Sequence, residues 1–265
     1  LKKLRIKPHF QGSPDIMWME RSIDGARWYY IASPIGEGFE GTISLEGSGK
    51  AEWWNPVDGS VKPLKTKGWG RMKKEHLDLA QAESGFVVFR SRKSLPAKDR
   101  IFEQKSFSGR ILPESWTVTF PDGWGVQNVP VHLKELKPWK ELMLGNEGRA
   151  FSGTARYEAT FTVTPEQSVK NLVLDLGEVD MIADIKVNGK SAGVLWAQPY
   201  RIPIGDLVCE GENQLIIDVT STWFNRLVYD SSIPAEQRKT WTTSWPEKDS
   251  QLRNSGLIGP VGVLY

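Results

Sequence analysis

Hydrophobic and polar residues alternate along short stretches of this chain, and Gly, Pro, Asn and Asp separate the stretches. A period of two residues places successive side chains on opposite faces of a β-strand. The pattern predicts strands throughout, the clearest being Arg27–Ser33, Glu40–Gly47, His76–Ser91, Ser115–Phe120, Ala155–Val163, Asn171–Gly177, Ala183–Lys190 and Asn213–Thr222. Many short strands at this spacing indicate an all-β fold built from β-sandwiches.

Helical periodicity is scarce. The best helix candidates are two short segments, Val131–Leu136 and Pro234–Lys239. Asn188-Gly189 and Asp58-Gly59 predict hairpins, because Asn, Asp and Gly tolerate the positive φ that two-residue hairpin turns require. Cys209–Leu215 is predicted to form a turn that leads into the next strand.

A polar segment, Ser91–Gln104, separates two β-rich halves and contains Pro96. Linkers between domains commonly have this composition. We therefore predict a first β-sandwich domain over residues 1–100 and a second over residues 101–265.

Composition narrows the functional classes. Lys and Arg total 34 against 32 Asp and Glu, a net charge of +2, which does not indicate a nucleic-acid partner. No apolar run reaches about 18 residues, so no membrane-spanning segment is predicted. The single cysteine, Cys209, cannot form an intrachain disulfide. No secretory signal is visible and the chain begins LKKLRIKPHF, which we interpret as a mature product or a piece of a longer chain.

The chain contains 12 Trp residues, a number unusual for its length. Indole rings fill cores, and they also stack on ligands such as sugars. Sugar sites combine an aromatic face with a few convergent polar groups. Three tracts have this composition: Trp196 with Gln198, Tyr200 and Arg201; Trp223 with Asn225, Arg226 and Asp230; and Trp241 with Trp245. The alternative is structural: Trp196 and Trp223 would pack between two sheets, and Arg226 and Asp230 would form a salt bridge.

Gly36–Gly41 reads GEGFEG and matches the glycine pattern of dinucleotide-binding loops. That loop requires a helix to follow, whose N-terminus contacts the pyrophosphate. A β-pattern follows here instead, so we interpret the segment as a hairpin turn.

Other catalytic or metal-binding signatures are weak. The histidines have no partner at metal-ligand spacing, and no G-x-S-x-G motif is present. A glycosidase needs two carboxylates across a cleft, which sequence alone cannot pair. The carboxylates considered are Glu178, Asp180 and Asp184, and the histidines are His9, His76 and His132.

Several segments resemble the C-terminal part of glycoside hydrolase family 106, whose members are α-L-rhamnosidases. They are Phe151–Val163, Leu174–Asp230, Thr240–Trp245 and Ser255–Tyr265, and TWFNRLVYD within the second is the most specific. Leu174–Val219 is also similar, more loosely, to the sugar-binding jelly roll of family 2 glycosidases. Stretches in the first half, such as AEWWNPVDG, extend the resemblance over nearly the whole chain.

The resemblance implies that the second domain is a galactose-binding-like jelly roll and that the first sandwich packs on a (β/α)₈ catalytic barrel. A barrel of about 250 residues does not fit in this β-rich chain, and no catalytic residue carries over. The chain would then be the accessory portion of a larger enzyme that acts on rhamnose-containing or other plant-type glycans, in the periplasm or outside the cell. Its partners would be the barrel and an oligosaccharide. No cofactor is implied. Sandwiches of this kind can hold a structural Ca²⁺, but no Asp-x-Asp loop in the sequence indicates where it would bind.

Two other interpretations stay open: a structural or interaction module without a ligand, and a complete small glycosidase with carboxyls about 5–9 Å apart. Exposure of the aromatic residues would favour sugar binding, and their burial would favour the module. The candidate carbohydrate-binding residues are Trp196, Tyr200, Trp223, Asn225, Arg226, Asp230 and Trp241, the aromatics to stack and the others to hydrogen-bond hydroxyls.

Overall fold

The computed structural model describes residues 8–34, 36–57, 59–68, 70–90, 107–127, 129–142, 144–167 and 171–265. Their regular structure is almost entirely antiparallel β, which confirms the predicted all-β class. Contacts divide the chain into two compact units, Leu1–Ser106 and Phe107–Tyr265. The predicted linker Ser91–Gln104 lies entirely outside the described residues, so the domain limits 1–100 and 101–265 stay predictions.

The first unit is a sandwich of two sheets. Its strands are β1 (Phe10–Gln11), β2 (Met17–Ile23), β3 (Ala26–Ala32), β4 (Phe39–Glu46), β5 (Lys50–Trp54), β6 (Val61–Leu64), β7 (Met72–Leu79) and β8 (Ser84–Arg90). One sheet has the order β1-β4-β7 and the other β2-β3-β8-β5-β6. Alternation along β4 points Ile43 and Leu45 into a core that also contains Tyr29 and Phe89 of the larger sheet.

The second unit contains a six-stranded sheet, a four-stranded sheet and a strand pair. Its strands are β9 (Arg110–Ile111), β10 (Trp116–Thr119), β11 (Val131–Leu133), β12 (Thr154–Val163), β13 (Val173–Asp175), β14 (Glu178–Val179), β15 (Ile182–Val187), β16 (Lys190–Leu195), β17 (Arg201–Pro203), β18 (Gly211–Thr220), β19 (Leu257–Gly259) and β20 (Gly262–Leu264). Two short helices are α1 (Gly145–Arg149) and α2 (Phe224–Ser231). The orders are β11-β10-β12-β18-β15-β16, β17-β13-β20-β9 and β14-β19.

Tyr157 on β12 anchors the core of the second unit. Its hydroxyl oxygen accepts hydrogen bonds from Trp139 Nε1 at 2.6 Å and from the Leu257 backbone N–H at 3.1 Å. Burial raises the pKa of Tyr157 to about 12. Gly256 lies beside this pair with φ of 102°, and a Cβ there would come within 2.5 Å of Trp139 Nε1, so the position requires glycine.

Several local predictions are confirmed. Asn188 and Gly189 have φ of 51° and 75° and join β15 to β16 as the predicted hairpin turn. Cys209–Leu215 turns into β18 as expected. The described part of the predicted strand His76–Ser91 forms two strands rather than one, because Ala82 has a positive φ and a turn separates β7 from β8. Asp58 lies outside the described residues.

Other predictions are wrong. Val131–Leu136 begins with strand β11 instead of a helix, because Val131–Leu133 pairs with β10 along the sheet edge. Pro234–Lys239 contains only one 3₁₀ turn, at Ala235–Gln237. Gly36–Gly41 is not a hairpin turn: β3 and β4 belong to different sheets, and the segment connects them. In the described ranges no helix has both the length and the apolarity needed to cross a lipid bilayer.

Candidate functional site: an aromatic rim on the second unit

One end of the six-stranded sheet collects several loops of the second unit. The register pairs Ile182, at the start of β15, with Thr220, at the end of β18. It also pairs Ala183 with Leu195, at the end of β16. The residues that follow β16 and β18 and those that precede β15 therefore emerge at the same end of the sheet.

Exposed tryptophans lie at this end. Trp196 follows β16 and is 55% exposed, and Trp223 follows β18 and is 48% exposed. The Trp223 ring packs 5.4 Å from the ring of Trp124, which also lies 5.9 Å from Lys239 Nζ. Trp241, 80% exposed, follows two residues after Lys239. We refer to Trp196, Trp223 and Trp241 as the aromatic rim; the exposure of Trp196 and Trp223 excludes their packing between the sheets.

The other four candidate residues are buried. Asn225, Arg226 and Asp230 are at most 2% exposed, and Tyr200 is 6% exposed. This burial does not support the predictions that Asn225, Arg226 and Asp230 hydrogen-bond sugar hydroxyls and that Tyr200 stacks on a sugar, because their side chains contact protein groups. The physical reason is helix α2, which the sequence analysis missed. Its period turns Arg226 and Asp230, four residues apart, toward the interior.

Arg226 is the centre of a buried ionic network. Its Nη2 lies 2.8 Å from Asp230 Oδ1, and its Nη1 donates to Glu147 Oε1 at 2.7 Å. The guanidinium carbon lies 5.5 Å from the Trp124 ring centroid and 5.1 Å from that of Tyr229. A fully buried charge must be paired to be tolerated, and this is the structural salt bridge left open as an alternative.

Asp230 joins this network to the segment that carries Trp241. Its Oδ2 accepts hydrogen bonds from the backbone N–H groups of Lys239 at 3.0 Å and Thr240 at 2.7 Å, and from Thr240 Oγ1 at 2.6 Å. Burial opposes ionisation of Asp230, but the hydrogen bonds from Thr240 and Arg226 outweigh it and lower its pKa. The carboxylate thus fixes the backbone immediately before Trp241.

Glu147 has a similar environment at the edge of the network. Its Oε1 lies 2.7 Å from both Arg226 Nη1 and Lys239 Nζ. Burial opposes ionisation here too, but the hydrogen bonds from Lys239 and Arg226 lower the pKa of Glu147. Glu147 therefore stays charged and links α1 to the Lys239 segment.

Asn225 and Tyr200 hold rim loops rather than face solvent. Asn225 Nδ2 donates to the Arg253 carbonyl at 2.9 Å, and the Arg253 N–H donates back to Asn225 Oδ1 at 2.8 Å. Tyr200 Oη donates to the carbonyl of Met181 at 2.8 Å. Met181 has φ of 74°, a left-handed conformation rare for a residue with a side chain, which this bond helps to stabilise.

The remaining residues of the aromatic-polar tracts are dispersed. Arg201 forms an ion pair with Asp175, with its Nη2 3.0 Å from Asp175 Oδ2. Trp245 lies under the guanidinium of Arg238, 4.7 Å from its carbon. Gln198 precedes a cis proline bond. The sequence analysis did not identify Trp124, Glu147, Lys239 or Arg253, since distant parts of the chain bring them together.

The carboxylates considered for catalysis lie on two strands and the turn that joins them. Glu178 lies on β14 and Asp184 on β15, whereas Asp180 lies in the turn between them. Burial raises the pKa of Asp180. Within the described residues, no three His, Cys, Asp or Glu side chains form a group that could hold a metal ion.

Residues 146–255 match a protein family described as the glycosyl hydrolase 2 galactose-binding domain-like family. A protein of Formosa agariphila named "Putative beta-glucuronidase" is 36% identical over 180 residues, which cover 58% of this chain and 15% of that protein. The structure of a rhamnosidase from Novosphingobium sp. PP1Y superposes with a TM-score of 0.76 and 31% identity. It covers 99% of this chain and 25% of the rhamnosidase.

The chain spans only part of the length of the proteins it matches. It spans about a sixth of the curated relative and a quarter of the rhamnosidase. Its second unit carries a galactose-binding-like β domain related to those of glycoside hydrolases.

Proposed function

We propose that this chain is a non-catalytic accessory portion of a larger glycoside hydrolase, similar to the α-L-rhamnosidases of family 106, that acts on rhamnose-containing or other plant-type glycans. One observation carries the proposal. Nearly the whole chain superposes on the rhamnosidase at 31% identity, yet it accounts for only 25% of that protein. The remainder of such an enzyme leaves ample length for a catalytic barrel of about 250 residues.

Within this function, the aromatic rim is the proposed carbohydrate-binding surface. Indole faces stack on the apolar C–H faces of sugars, and the rim offers three exposed indoles on one unit. Trp223 is braced by Trp124, which also contacts the charged groups of Arg226 and Lys239. A braced ring loses little conformational freedom when a ligand binds, which favours affinity.

The second candidate function is a structural module without a ligand of its own. The burial of Tyr200, Asn225, Arg226 and Asp230 favours it, because these polar groups stabilise the fold. In that case the exposed tryptophans of the rim would form a contact surface for the rest of the enzyme, as exposed apolar patches often do.

Titration calorimetry separates these functions. The chain is titrated with rhamnose-containing plant oligosaccharides and assayed for their hydrolysis. We expect binding without hydrolysis, and at least a tenfold loss of affinity in Trp223→Ala and Trp241→Ala. The control is Trp18→Ala, since Trp18 is 44% exposed on β2 of the first unit and should not affect binding. Hydrolysis by the chain alone would overturn the non-catalytic assignment, and absence of binding would favour the structural module.

A further inference from the structure

Arg253 is an exposed residue, and its guanidinium N–H groups bond no protein oxygen among the described residues. This distinguishes it from the other arginines of the unit. Each of the other six arginines makes a hydrogen bond or ion pair to a protein oxygen; they are Arg110, Arg149, Arg156, Arg201, Arg226 and Arg238. The donor groups of Arg253 are therefore available to a ligand.

The position of Arg253 is nevertheless fixed. Its guanidinium carbon lies 3.8 Å from the centroid of the Phe224 ring, a close stacking contact. Its backbone N–H and carbonyl are both bound by the buried side chain of Asn225. A guanidinium stacked on a ring keeps its N–H groups around its edge, where they can donate in the plane.

Arg253 also lies beside the aromatic rim. Phe224, on which it stacks, directly follows Trp223 in the chain. Arg253 does interact electrostatically with the carboxyl of Asp180, but burial has the larger effect on that group and raises the Asp180 pKa. No carboxylate of the described residues lies within ion-pair distance of the Arg253 guanidinium, so the positive charge is not neutralised by a direct partner.

We propose that Arg253 binds the carboxylate of a uronic acid residue in an oligosaccharide held on the aromatic rim, which makes this surface selective for acidic glycans. The inference rests on the proposed carbohydrate-binding function and names the ligand class. A planar guanidinium can donate two parallel N–H···O bonds to a carboxylate, a match in both geometry and charge. Phe224 and Trp223 supply the adjoining apolar surface.

The test uses a disaccharide of glucuronic acid linked to rhamnose, and the same disaccharide after reduction of its carboxyl group to a primary alcohol. Calorimetry measures both affinities for the wild-type chain, for Arg253→Gln and for the control Arg149→Gln. Arg149 is exposed on the same unit, but its Nε already donates to the Lys140 carbonyl. Unchanged thermal unfolding midpoints verify that the variants are folded.

We expect the wild-type chain and Arg149→Gln to bind the acidic disaccharide about tenfold more tightly than the reduced one, the effect of one charge-assisted hydrogen-bonded pair. Arg253→Gln should bind the two equally. Added salt should also weaken binding of the acidic disaccharide to the wild-type chain more than binding of the reduced one.

Equal wild-type affinities for the two disaccharides, or a preference that survives in Arg253→Gln, would overturn the role of Arg253 while leaving carbohydrate binding intact. Failure of both disaccharides and of every neutral rhamnose oligosaccharide to bind would instead overturn the proposed function on which the inference rests.

Discussion

The short tract from Trp223 to Asp230 divides into two layers with opposite properties. Asn225, Arg226 and Asp230 form an inner layer that is buried and bonded to protein groups. Trp223 is exposed at the surface beside them. Residue types that suit a sugar site therefore occur together, but the phase of helix α2 decides which are available to a ligand. The polar residues of the inner layer position the loops, and the exposed residues are left for binding.

The largest expected effect is in the inner layer. Arg226→Ala leaves the carboxylates of Asp230 and Glu147 without their buried partner, and we expect a loss of about 3–5 kcal/mol in the free energy of unfolding. Urea denaturation of the chain measures it. The matched control is Arg156→Ala, whose ion pair with Asp218 at 2.8 Å lies on the surface and should contribute about 1 kcal/mol or less. Equal losses in the two variants would contradict the assignment of an inner layer.

Asn225→Ala should have the next largest effect. It removes the side chain that binds both backbone groups of Arg253 and leaves them unsatisfied, at a cost of about 1–3 kcal/mol. Because Arg253 then loses its support, the affinity for the acidic disaccharide, measured by calorimetry, should fall along with stability. Asn254→Ala, at an exposed neighbouring position, is the control in the same denaturation experiment. If Asn225→Ala loses stability but keeps the wild-type affinity, the inner layer does not support ligand binding, which would contradict this prediction.

Acidic pH should destabilise the inner layer because it protonates the carboxylate of Asp230. Its folded pKa is lowered by its hydrogen bonds to Thr240 and Arg226, against the effect of burial. Its stabilising contribution is therefore complete above the unfolded pKa, near pH 4, and is lost as the pH falls through the lower folded pKa. The free energy of unfolding, measured from neutral to acidic pH, should fall less steeply in Asp230→Asn than in the wild type. An equally steep fall would contradict this.

The smallest effect on stability belongs to the rim. Trp241 is 80% exposed, so Trp241→Ala should change the free energy of unfolding by no more than about 0.5 kcal/mol. By contrast, Trp139→Ala removes a fully buried ring and should cost about 3–5 kcal/mol. Thermal denaturation of both variants provides the comparison. A large loss in Trp241→Ala would place that side chain in the inner layer.

Local patterns predicted much of the fold. Alternation located β12 and β18 to within about two residues, and Asn188-Gly189 predicted its hairpin, because both depend on neighbouring residues alone. β11 was missed since pairing with β10 overrode its local helical pattern. The i,i+4 spacing of Arg226 and Asp230 was a helical signal that could have indicated α2.

The site was only partly predictable. The three exposed tryptophans were among the candidate residues, because Trp in a polar tract is a local signal. Glu147 meets Arg226 across 79 residues of sequence, and Lys239 meets Glu147 across 92. Such contacts depend on the register of the six-stranded sheet, which the sequence alone did not supply. The sequence did not predict the burial of Asn225 for the same reason.

The most direct test of the proposed rim is an NMR titration that follows the indole N–H signals of the folded chain as a rhamnose-containing oligosaccharide is added. We predict that the signals of Trp196, Trp223 and Trp241 shift with saturation, with a smaller shift at Trp124, and that buried Trp139 stays unchanged. Shifts confined to tryptophans of the first unit, or no shift at any indole, would contradict the assignment of the aromatic rim as a carbohydrate-binding surface.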